Sequence, residues 1–178
     1  MEFIGGYCMN HFTPGMAFSE ILRMDRPDAV AWISGNEENP KLSGKVSFYR
    51  TPYEGILVEA EIFGLPNINT PKGSQFYGMH IHEDGNCSRP FDRTGAHYTR
   101  SLNMGQQFVP ATGEHPQHSG DLLPLMGNQG YAWGAFYDKR FNIPEIVGRS
   151  VVIHAMRDDF TTQPAGDSGE KIGCGVIR

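Results

Sequence analysis

Five of the seven histidines fall into two short clusters and one later strand-like run, with His97 between the clusters, at spacings that suit a site for two metal ions. His80 and His82 sit in Met79-His80-Ile81-His82, and His97 follows. His115 and His118 lie in His115-Pro116-Gln117-His118-Ser119-Gly120-Asp121, and His154 ends Val151-Val152-Ile153-His154; His11 stands apart. Imidazole is the commonest metal ligand, and two imidazoles with a carboxylate suit zinc. In an extended strand residues i and i+2 share a face, so His80 and His82 present two rings side by side while Ile81 faces the opposite layer. His154 supplies one more ring from a separate strand. His115, His118 and Asp121 form His-x-x-His-x-x-Asp, with Pro116 stiffening the interval, and His97 is the natural fourth ligand. A single histidine is ordinarily a hydrogen-bonded structural residue, and one polar loop is ordinarily only a loop. The joint occurrence of His-x-His, a third separate histidine and the His-x-x-His-x-x-Asp unit favours metal.

Such ligands need a frame to hold them. A chain of 178 residues is long enough for one domain with a substantial core and short for two. Gly 22 and Pro 12 suit many short strands joined by turns better than helices. Strand-like runs recur at 29–33, 45–49, 56–62, 76–83, 131–137, 150–156 and 171–177, separated by turn signals. One long irregular stretch, roughly 84–130, holds most of the chemistry-bearing residues. The pattern implies an all-β sandwich or barrel carrying a long functional loop that metal ligands and a disulfide would fasten. Residues 1–27 read as an N-terminal arm, flexible or with a short helix between Ala17 and Met24 ended by Asp25-Arg26-Pro27, ahead of a domain at 28–178. Three cysteines, Cys8, Cys87 and Cys174, allow one disulfide with one thiol left over.

A net charge of −5 without any basic stretch excludes nucleic acid as the main partner. No apolar run approaches a membrane span, and the start lacks a basic region followed by an apolar one, so neither membrane nor signal peptide is expected. An anionic substrate would be repelled overall and needs local positive potential.

The blocks His80-Ile81-His82-Glu83-Asp84-Gly85-Asn86-Cys87, Gly95-Ala96-His97-Tyr98, His118-Ser119-Gly120-Asp121-Leu122 and Gly173-Cys174-Gly175-Val176-Ile177 resemble the copper,zinc superoxide dismutase family, over about residues 28–178. Val152-Ile153-His154 with Asp158-Asp159 fits the next-to-last block of that family. The resemblance implies an eight-stranded Greek-key β-barrel or sandwich, immunoglobulin-like, with long metal-binding and electrostatic loops. It implies copper held by His80, His82, His97 and His154, and zinc held by His97, His115, His118 and Asp121, with His97 bridging as an imidazolate. It implies conversion of superoxide to dioxygen and hydrogen peroxide by copper cycling between two oxidation states, His97 supplying a proton and zinc organising the loop. Asp158 matches the carboxylate that links a copper histidine to a zinc histidine, although a turn residue opening Asp158-Asp159-Phe160 would look the same. Cys87 and Cys174 match the family disulfide, leaving Cys8 free. Members often pair, which points to a homodimer. The missing signal favours a cytoplasmic location and the disulfide an oxidising space, and a well-buried disulfide can persist in either.

Three positions depart from the family pattern. Lys171 stands where members usually carry the arginine that attracts and orients the anion; lysine keeps the charge but loses the planar fork. The second zinc histidine usually lies earlier, within the stretch 101–113, which here has none, so His115 must reach the site by another route. Tyr98-Thr99-Arg100 replaces the Asn-Pro pair that usually follows the bridging histidine, and Arg93 and Arg100 offer further positive charge. Two other functions remain open on sequence. A non-catalytic copper- or zinc-binding relative would share the ligands, and a zinc hydrolase would need an open zinc position with Glu83 or Glu114 as base.

Overall fold

Alternating burial along the early strands defines two layers. In β1 (Ala29–Gly35) the residues Ala29, Ala31 and Ile33 are buried while Val30, Trp32 and Ser34 point outward. β2 (Ser43–Arg50) and β3 (Ile56–Phe63) continue the meander, and β3 sends Val58, Ala60 and Ile62 inward between half-buried Glu59 and Glu61. The computed structural model describes residues 13–67, 69, 73–100, 102–104, 107–109 and 114–178. Cys8, His11, the first twelve residues of the expected arm and most of the stretch 101–113 lie outside the described residues.

β4 (Phe76–Tyr77) and β5 (Met79–His82) come next, split at Gly78. β6 (Leu102–Met104) and β7 (Gln107–Val109) pair antiparallel within the long loop. β8 (Leu125–Met126), β9 (Tyr131–Asp138), β10 (Ser150–His154) and β11 (Lys171–Val176) complete the strands. Seven of them form one antiparallel sheet in the order β5-β10-β11-β1-β2-β3-β9. Between the two ends of this order lies β8, which pairs with β4 and packs beside β9, so the curled sheet closes into the Greek-key barrel that the family resemblance implied. β8 falls inside the stretch read from sequence as irregular.

The core is aliphatic and aromatic, with Phe48, Ile62, Tyr77, Met79, Ile81, Leu122, Phe141, Ile146 and Ile153 essentially inaccessible. Helix α1 (Pro14–Met24) begins with proline in its first turn and ends at Asp25 in the left-handed conformation. It docks rather than dangles: Phe18 stacks on Tyr137 with ring centroids 5.1 Å apart and meets Tyr53 edge-on. A one-turn helix, α2 (Ile143–Ile146), carries a reciprocal cap between Asn142 and Glu145. Among the described residues no helix is long and apolar enough to cross a membrane.

Candidate metal centre

The site is assembled on the outer edge of β5. One side of β5 pairs with β10, so that Val152 faces His80 and Ser150 faces His82. The other side would be an open strand edge, and the long loop covers it. Ile81 accepts a hydrogen bond from Tyr98 N and donates one to Gly120 O, and Glu83 N bonds Ala96 O. These sheet-like bonds set His97 beside His82 and Asp121 beside His80. The loop ligands are therefore positioned by backbone pairing to the strand that carries the first two histidines. His154 arrives at the end of β10, opposite Lys171 of β11, just after an irregularity in the register.

The structure brings all seven sequence-derived ligands together in two groups. His80, His82, His97 and His154 place one potential ligand atom each within 4.8 Å of one another, and so do His97, His115, His118 and Asp121. His97 belongs to both. All are buried except His118, which is half-buried. His115 reaches the second group despite its late place in the sequence, its Nδ1 lying 3.3 Å from Asp121 Oδ1. His97 Nδ1 lies 2.6 Å from the same oxygen, and His118 Nδ1 lies 3.0 Å from Oδ2.

The ring atoms divide into those tied to the protein and those left bare. His82 Nδ1 donates to Gly95 O at 3.0 Å and His154 Nδ1 donates to Gly169 O at 3.1 Å, because a carbonyl can only accept. Their Nε2 atoms are then bare and face each other at 3.3 Å. Asp158, fully buried, uses Oδ2 for His80 Nε2 and Oδ1 for His115 Nε2, both at 2.7 Å, and Oδ1 also accepts from Phe160 N. It links one member of each group, as the family pattern implied. Of the remaining ring atoms, His80 Nδ1 and His97 Nε2 are buried with no hydrogen-bond partner among the described residues, and His115 Nδ1 and His118 Nδ1 are buried beside Asp121 without well-aligned hydrogen bonds. Buried polar atoms are normally satisfied, and such atoms converging from four residues are what metal ligands look like without their ion. The donor sets fit the two metals: four imidazoles suit copper, three imidazoles with a carboxylate suit zinc.

Electrostatics agree. Burial, reinforced by the neighbouring His154 and His97, holds His80 far below the usual imidazole range. Burial also pushes His82 down to about 2 and His154 down to about 4. These rings stay neutral and lone-pair-bearing at physiological pH. Burial raises Asp121, but its hydrogen bond to His97 and the histidines around it outweigh that and leave it below the ordinary carboxylate value.

Several supporting residues carry no sequence signal. Gln163 grips the backbone of His115 with both ends of its amide, accepting from His115 N at 2.9 Å and donating to His115 O at 2.8 Å. Gly166, at φ +66°, lies so close that a Cβ would sit 2.0 Å from Asp158 Oδ1 and 2.6 Å from His115 Nε2. Arg140 pairs with buried Asp138 and donates to the carbonyls of His118 and Asp121, clamping the loop that bears them. The disulfide joins Cys87 to Cys174, tying that loop to β11, and Phe91 and Val152 pack around it.

Lys171 is half-buried, with Nζ hydrogen-bonded to Thr94 Oγ1 at 2.8 Å. Burial lowers its pKa, opposed by the charge of Asp92. It lines a groove of about 410 Å³ with Asp92, Glu170 and Glu38. Arg100 does not serve the site electrostatically as a free cation; it pairs with Glu145 at 2.8 Å.

A closed Greek-key barrel carrying a four-imidazole group that shares one ring with a carboxylate-containing group defines a two-metal β-barrel protein. The chain belongs to the copper/zinc superoxide dismutase family: the family model described as Copper/zinc superoxide dismutase (SODC) matches residues 42–177. It is 30% identical to the superoxide dismutase [Cu-Zn] of Deinococcus radiodurans over 177 residues, covering 92% of this chain and 91% of that protein. It is 31% identical to superoxide dismutase [Cu-Zn] 3 of Arabidopsis thaliana over 159 residues, covering 84% and 88%. Among solved structures it is similar to the crystal structure of the clock protein EA4, with a TM-score of 0.64 and 27% identity over 84% of this chain and 92% of that one. Copper and zinc are the cofactors that the family and the two ligand groups support.

Proposed function

We propose that the protein is a superoxide dismutase, with copper at His80, His82, His97 and His154 and zinc at His97, His115, His118 and Asp121. The observation that carries this reading is His97, whose Nδ1 faces Asp121 while its buried Nε2 has no hydrogen-bond partner among the described residues. Bound copper supplies reversible one-electron exchange, and bound zinc supplies a fixed positive charge. The chain does the rest. Two superoxide anions and two protons give one dioxygen and one hydrogen peroxide, so the site must gather anions and deliver protons. His97 Nε2 is the atom placed to hold a proton and pass it to the peroxide product, while Nδ1 stays engaged on the Asp121 side. Asp158 fixes the rings of His80 and His115, which keeps both groups in register. Lys171 supplies local positive charge against the chain's net charge of −5. A lysine in place of the family's arginine also suits a relative that binds metal with little turnover, and one experiment separates the two. Superoxide decay is followed with protein carrying both metals, zinc alone and none, with metal content and peroxide yield determined on each. Copper-dependent decay with one peroxide per two superoxides supports the dismutase; full occupancy without decay leaves a metal-binding protein.

A further inference from the structure

Lysine is a long, flexible cation, and the carboxylates of Asp92 and Glu170 lie in the same groove. Left to itself its ammonium would turn toward them and away from the histidines. Thr94 stands against that. Its hydroxyl is fully buried and donates to Phe91 O at 3.0 Å, which spends its only proton and leaves its lone pairs to accept. Lys171 Nζ donates to it at 2.8 Å, and His82 Nδ1 lies 3.4 Å away on the same oxygen. Phe91 in turn packs into the cluster of Cys87, Cys174 and Val152, so the acceptor is anchored to the disulfide-bonded part of the loop. At its other end Lys171 is opposite His154 in the β10–β11 ladder, and Asn36 Nδ2 bonds its carbonyl at 3.2 Å.

We propose that Thr94 is the positioning residue for Lys171: by accepting its ammonium beside His82, Thr94 holds the anion-attracting charge at the four-histidine group rather than at the acidic groove. The proposal rests on the reading of Lys171 as the anion-guiding group of a dismutase. It extends that reading to a specific threonine hydroxyl.

The test uses copper- and zinc-loaded wild type and the variants Thr94→Val, Thr94→Ser and Lys171→Gln, with azide as an anionic probe titrated by visible absorbance. Superoxide decay is recorded alongside across a range of ionic strength. Loss of one charge-assisted hydrogen bond predicts azide binding weakened roughly three- to tenfold in Thr94→Val. Metal content should be unchanged, and Thr94→Ser should return to within about twofold of wild type because it keeps the acceptor. Lys171→Gln should weaken azide binding at least as much. Wild-type azide affinity in Thr94→Val, with Lys171→Gln impaired, overturns the role of Thr94. Wild-type affinity in Lys171→Gln overturns the reading of Lys171 and the proposal with it. Loss of metal in both Thr94 variants overturns it too, by marking Thr94 as a structural support of His82. Azide affinity is read without turnover. An inactive protein that still shows the Thr94 and Lys171 effects would therefore sink the dismutase reading while supporting Thr94 as the residue that places the cation.

Discussion

Replacing Asp158 by asparagine tests how far the two metal groups depend on one buried side chain. The carboxylate serves three donors, His80 Nε2–H and His115 Nε2–H at 2.7 Å and Phe160 N–H at 2.8 Å, with no side-chain exposure. An asparagine of the same shape has one acceptor oxygen and turns an NH2 toward whichever imidazole that oxygen does not serve. One charge-assisted hydrogen bond is lost, about 1.5–3 kcal/mol, and two donors are left in apposition. The consequence falls unevenly. His80 lies in β5, held by pairing with β10 on one side and by the loop on the other, whereas His115 sits in a turn. His115 is the ring free to swing away, so zinc affinity should fall by roughly 10- to 100-fold while copper affinity falls by less than about threefold. Competition against a chromophoric chelator, run separately for each metal, measures both. Unchanged zinc affinity in a folded Asp158→Asn protein would refute the reasoning, because the bridge would then contribute nothing to holding His115.

Three further outcomes follow from the same geometry. Changing both Cys87 and Cys174 to serine opens a closure of 87 residues, which the chain-entropy model values at roughly 4–5 kcal/mol; denaturant midpoints of the metal-free proteins check it, and a loss below about 1 kcal/mol would count against it. The metal-free protein should lose stability in acid. His154 and His82 are neutral in the fold because burial lowers them to about 4 and about 2, while in the unfolded chain they titrate near 6.5. Below about 6.5 the unfolded state therefore takes up protons that the folded state refuses, and stability drops by about 1.4 kcal/mol per pH unit per ring, the His154 contribution levelling off below about pH 4. Stability that stays flat between pH 7 and 5 would contradict this. Gln163→Ala removes two hydrogen bonds to the His115 backbone and should weaken zinc binding about two- to fivefold with copper binding unaffected, again by chelator competition.

The ligands were legible in the sequence because their residue types are rare and their spacing is chemical. His80 and His82 share a face for the simple reason that β5 is extended, and His-x-x-His-x-x-Asp is compact enough to close on itself. The early strands were legible as short strand-like runs between turn signals, with alternation toward the end of β3. Less was visible where backbone pairing is long-range. Residues 76–83 read as one strand, yet Gly78 interrupts it, bonding Met156 and His154 on both backbone groups, with Ser168 too near for a side chain. The segments at 96–98 and 120–121 have no periodicity, because their alignment comes from the edge of β5 rather than from their own side chains. Thr94, Gln163 and Arg140 were invisible for a related reason. Threonine, glutamine and arginine are ordinary loop residues, and the groups they hold lie 77, 48 and 22 residues away. His115 was the reverse case: its place in the sequence departs from the family pattern, and the turn at 115–116 together with the Gln163 grip still brings it to the second group.

The most direct test of the account is the second-order rate of superoxide decay by the copper- and zinc-loaded protein and its Lys171→Gln variant, measured as salt is raised. Copper-dependent decay by the wild type should slow with ionic strength, and the variant should be slower with its salt dependence largely lost. Full occupancy of both metals with decay no faster than that of the metal-free protein would contradict this.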